Sequence, residues 1–185
     1  MLRLSESSRS AVMISASIVV AAAILGAAQA ATETVYRYSS PKTGHFAIDN
    51  TDLSPDGSNS LAYFNEWDIA ISPDAGNRAC FNAGIHLPQG AIVTQLRVFY
   101  EGAAGADKPF VTIQRKPYAT GINDTVAEQD LPESAARTGV DITLDNSLTT
   151  INNAQFSYGF GVCLKNENDK FYAARIRYTY QNAGD

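Results

Sequence analysis

Three sets of residues in this chain could do chemistry, and each points to a different kind. The segment Asp52-Leu53-Ser54-Pro55-Asp56-Gly57 spaces the oxygen-bearing side chains Asp52, Ser54 and Asp56 at alternate positions before a glycine. That is how a calcium loop opens. Its twelfth position is Tyr63 rather than a bidentate glutamate, and Pro55 stiffens it, so an Asp/Ser/Pro/Gly turn accounts for the same letters. Next to this loop lie Tyr63, Phe64 and Trp67. Aromatic faces stack on the apolar faces of sugar rings, which makes the three a candidate ligand platform with Trp67 foremost. Tyr and Phe are equally ordinary strand residues that fill a core.

Covalent chemistry has little to work with. The chain holds Cys80, Cys163, His45 and His86, with no G-x-S-x-G elbow and no H-E-x-x-H pair. His86 shares strand parity with Cys80, and a free thiol there could be a nucleophile. Six residues along one strand nevertheless separate the two by about 20 Å. The acidic residues offer many pairs for glycoside hydrolysis, and none is singled out by its surroundings. We therefore expect a non-enzymatic protein without a cofactor, and keep a hydrolase of unrecognised type as an alternative.

The elements that must position these residues read as short strands between turn residues. Residues 34–39 and 45–49 form two strands with a turn at Pro41 and Gly44, and 61–64 a short one. Residues 65–77 show no clear period. Further strands follow at 79–87, 91–101, 110–115, 138–144, 156–164 and 171–180. In the strand at 91–101, Ile92, Leu96, Val98 and Tyr100 share one face, while Val93 and Phe99 lie on the other, the mark of a central strand. Residues 124–137 are polar and interrupted by Pro132, so they read as a long loop with one turn of helix. The result is one all-β antiparallel sandwich, jelly-roll or immunoglobulin-like in topology. An immunoglobulin domain proper would place a tryptophan between its paired cysteines, whereas Trp67 precedes Cys80.

Parity also speaks to the cysteines. Ala79, Phe81, Ala83, Ile85 and Leu87 form one face of their strand, and Tyr158, Phe160, Val162 and Leu164 one face of theirs. Cys80 and Cys163 each fall on the less apolar side. If the two strands are neighbours, these cysteines can face each other and bridge, contributing about 4 kcal/mol.

Residues 1–30 read as a signal peptide, leaving the domain at 31–185. Arg3 and Arg9 precede an apolar run at 11–28, and Ala28-Gln29-Ala30 offers small residues where a peptidase reads them. An uncleaved anchor is the alternative, since the run approaches the length that spans a bilayer. Secretion or periplasmic location follows, and an even cysteine count suits an oxidising compartment. The chain carries a formal charge of −5 and has no basic run, which excludes the electrostatic footprint of a nucleic-acid binder. After the leader no second long apolar run exists, so no membrane partner is expected.

The stretch C-F-N-A-G-I-H-L-P-Q-G-A-I-V-T-Q-L, from Cys80 to Leu96, with R-I-R-Y-T-Y from Arg175 to Tyr180, resembles a pattern in exported bacterial proteins. Those carry an L-P-x-G-A turn before a long strand and an aromatic-Thr pair in the closing strand. The resemblance implies a secreted β-sandwich and brings no activity and no catalytic residues. The expected role is surface recognition or service as a subunit of an extracellular assembly, with a homo-oligomer, a protein or a glycan as partner. A carbohydrate-binding module using Tyr63, Phe64 and Trp67 is the alternative.

Overall fold

The computed structural model describes residues 36–57, 63–66, 70–74, 78–102, 104–105 and 107–183. The leader and Trp67 lie outside the described residues. In chain order the strands are β1 (Tyr36–Asp49), β2 (Ser54–Pro55), β3 (Tyr63–Glu66), β4 (Ala70–Pro73), β5 (Ala79–Ile85) and β6 (Ile92–Gly102). They continue with β7 (Phe110–Pro117), β8 (Asp124–Asp130), β9 (Ser134–Ile142), β10 (Phe156–Leu164) and β11 (Lys170–Ala183).

All pairings among the described strands are antiparallel. One sheet runs β3-β4-β11-β6-β9, with β1 also paired to β11; the other runs β2-β5-β10-β7-β8. Setting aside the short β2 and the β3-β4 hairpin, the first strand lies beside the last, and β5 beside β10. This pairing of strands from the two ends inward is jelly-roll topology, which decides between the two expected architectures. The inner faces meet in one core, where Phe160 of one sheet lies 5.6 Å, centroid to centroid, from Phe171 of the other. Tyr100 is buried beside them, and its hydroxyl donates to the Pro132 carbonyl at 2.6 Å. That bond gives a buried polar atom the partner it needs.

Several local expectations change. The loop expected at 124–137 holds β8 and the start of β9, whose remainder is the strand expected at 138–144, with Pro132 in the break between the two. Both are outermost strands of their sheets, so only Val126, Ala127 and Ile142 are buried in them, and the apolar period is weak. The two strands expected at 34–49 are one strand, β1, with a register irregularity between Arg37 and Lys42. Pro41 is tolerated because β1 is an edge. Gly44 marks no turn: a Cβ there would come within 2.4 Å of Tyr178 Cζ, so the ring lies directly on the backbone. In β6 the register shifts opposite Arg177 and Tyr178. The buried parity flips with it. Val93 therefore joins the core, while Ile92, expected on the face of Leu96, is 46% exposed.

Candidate functional site

The outer face of the five-stranded sheet is built in rows by the register of β5, β10 and β7. Cys163 on β10 is flanked by Cys80 and Phe110. Gly161 is flanked by Asn82 and Thr112, and Gly159 by Gly84 and Gln114. Ser157 comes next, opposite Lys116. Successive rows are about 7 Å apart, because every second residue shares a face. The central strand thus offers only Ser, Gly, Gly and Cys to the outside, while the flanking strands raise amides, a hydroxyl and an amine.

The consequence is a groove of about 230 Å³ whose lining includes Asn82, Thr112, Gln114, Lys116, Asn123 and Ser157. Its floor is the backbone at Gly159 and Gly161. The Asn123 amide donates to Gln114 Oε1 at 2.8 Å, which ties these two groove-lining amides together. Thr112 Oγ1 is buried and has no hydrogen-bond partner among the described residues. At one end the groove stops at the Cys80–Cys163 disulfide, whose Cα atoms are 4.0 Å apart. There the Lys165 ammonium lies 5.1 Å from the centre of the Phe110 ring. Past the other end, Tyr118 continues the parity of Gln114 and Lys116; its ring is 64% exposed and its hydroxyl donates to the Asn153 carbonyl at 3.3 Å.

The residues singled out from sequence fare unevenly. The bridge between Cys80 and Cys163 forms, on the outer face as parity required, and it leaves no thiol for a Cys/His pair. Tyr63 is half-buried and packs edge-on against the core residue Phe81 at 5.0 Å, whereas its neighbour Phe64 is 59% exposed. Adjacent strand residues face opposite ways, so these two do not form one platform. Asp52 closes a 3-10 turn at Asn50–Asp52: its carboxylate accepts the Asp49 N–H at 2.8 Å, in a capping box with the Asp49 side chain. Ser54 pairs with Asn82 as part of β2, and the Asp56 N–H donates to the Cys80 carbonyl at 3.0 Å. The expected calcium opening is therefore folded as a cap and a short strand. No cluster of three or more His, Cys, Asp or Glu suited to a metal occurs among the described residues.

A second concavity, of about 360 Å³, is lined by Glu101, Glu133, Ser134 and Lys170 among others. Here Glu101 accepts the Tyr172 hydroxyl, and Lys170 Nζ stands 3.2 Å away. That hydrogen bond, followed by Lys170 and Arg137, holds the Glu101 carboxyl below its ordinary value. An ionised carboxylate so engaged ties β6 to β11 and is ill suited to donate a proton.

Sequence reasoning missed the groove residues. The one available signal was the S-Y-G-F-G-V-C alternation of β10, in which every outward position is small.

No protein-family model and no curated protein matches the chain. Among solved structures it is similar to the C-terminal CBM6 of the marine laminarinase LamC from Zobellia galactanivorans, at 12% identity over 72% of this chain and 98% of that one, TM-score 0.41. It is similar to a family 29 carbohydrate-binding module, CBM29-2, at 10% identity over 75% and 92% of the two chains, TM-score 0.40. The capsid asymmetric unit of cyanophage Pam1 matches at 14% identity over 84% and 94%, TM-score 0.38. The chemistry of the groove is read from its own side chains. No helix among the described residues is long and apolar enough to cross a membrane.

Proposed function

We propose that this is a non-enzymatic recognition module that works outside the cytoplasm and binds a carbohydrate chain laid along β10. The observation that carries the reading is the glycine-floored groove between Asn82 on one wall and Thr112 and Gln114 on the other. Amides and hydroxyls both donate and accept, as sugar hydroxyls do, so these walls can satisfy a polyol. The absence of a side chain at Gly159, where an added Cβ would meet nothing nearer than the Ala83 carbonyl oxygen, lets a ring approach the backbone there. The walls lie two strand spacings apart, about 9.5 Å, which admits a single extended chain. The disulfide supports the extracytoplasmic part of the proposal, since such bonds persist where the surroundings are oxidising.

The test is a glycan array read with wild type, Gly159→Val and Asn82→Ala/Gln114→Ala. Valine at 159 fills the floor, and binding should disappear. Removing the two amides should weaken binding by about tenfold or more. A bound glycan whose signal survives Gly159→Val would move the site elsewhere, and an empty array with well-folded protein would end the carbohydrate reading.

A further inference from the structure

Taking the carbohydrate-binding groove as given, we infer that its ligand carries an anionic substituent, a carboxylate or a sulfate, seated beside Ser157 against Lys116. Among the described residues that line the groove, Lys116 alone bears a formal charge. It makes no ion pair among the described residues. Its stem leans over the β7-β8 turn, where a Cβ on Gly121 would stand 3.9 Å from Lys116 Cε. Asp124, at the start of the next strand, is already engaged by Arg115 Nε at 2.8 Å, so it leaves the lysine uncompensated.

Charges of both signs lie at the disulfide end of this face. On β8, Glu128 lies opposite Thr112 and Asp130 opposite Phe110, both toward the end closed by the disulfide. They are matched there by Lys165, 5.1 Å from the centre of the Phe110 ring, and by Arg78, 3.8 Å from Cys80 Sγ, so the uncompensated cation is the one at the open end. There Lys116 stands opposite Ser157, and the hydroxyl can add a hydrogen bond. His86, one residue past β5 on the outward parity, borders the same end, with Nε2 3.0 Å from where a Cβ on Gly84 would be. A chain with formal charge −5 has a general reason to repel polyanions, so attraction to one must be local.

Affinity gel electrophoresis of the purified protein tests this with two matched pairs of polymers. Polygalacturonate is compared with its methyl ester, and dextran sulfate with dextran. Gly159→Val serves as the groove-filled control and Lys116→Gln as the charge-neutral variant. We expect one acidic polymer to bind at least fivefold more tightly than its neutral counterpart at low salt. The pair that responds identifies carboxylate or sulfate. Lys116→Gln should erase that preference, so that acidic and neutral polymers bind this variant equally, and Gly159→Val should abolish both. Equal binding of acidic and neutral polymers, or a preference that persists in Lys116→Gln, would overturn the anionic assignment and leave the carbohydrate reading standing. Retardation by none of the four polymers, or retardation untouched by Gly159→Val, would count against the groove itself and take the inference with it.

Discussion

A Cβ added to Gly161 would stand 3.0 Å from Thr112 Cγ2, whereas one added to Gly159 would meet nothing nearer than the Ala83 carbonyl oxygen at 3.7 Å. The two floor glycines of the groove therefore differ in kind. Gly161 is required by its neighbour, while Gly159 is open to substitution.

Thermal unfolding of the two variants should separate accordingly. Gly161→Ala pushes a methyl against a stiff β-branched side chain and should cost about 1 kcal/mol. Adding Thr112→Ser removes the opposing methyl and should recover most of that loss in a double-mutant cycle. Gly159→Val should retain wild-type stability or gain slightly, because a β-branched residue suits a strand. A large loss in Gly159→Val would mean that the floor is not open.

The disulfide gives a second prediction. Cys80 and Cys163 close a loop with a sequence separation of 83, and loop closure in the unfolded chain makes such a bond worth about 4 kcal/mol. Cys80→Ser/Cys163→Ser should lower the urea midpoint accordingly. Reductant should destabilise the wild type and leave the double variant unaffected.

Glu101 sets part of the acid limit. Its carboxyl titrates below the ordinary value because Tyr172 donates a hydrogen bond to it and Lys170 stands beside it. The unfolded chain therefore takes up this proton first as the pH falls. The stabilisation is complete above the ordinary carboxylate value and is lost as the pH drops through the lowered one. Urea midpoints compared between neutral pH and about pH 3 should show a shallower acid limb in Glu101→Gln than in wild type. An identical slope would show that the engaged carboxylate does not contribute.

Much of the fold could be read from the chain because one-face burial leaves a period of two in the sequence. The limits of β10 come directly from F-S-Y-G-F-G-V-C-L. The outward parity of Cys80 and Cys163 comes from the apolar residues that alternate with them. Outermost strands were harder to read for the same reason in reverse: β8 and the first residues of β9 bury too few side chains to leave a pattern, and Pro132 looked like a loop when it only separates the two strands. Which jelly-roll strands pair, and in what register, was a tertiary decision. So was the groove, since Asn82, Thr112 and Gly161 lie far apart in the chain and meet only because β10 is hydrogen-bonded on both sides. Periodicity states which way a side chain faces, and only strand order states what it faces beside.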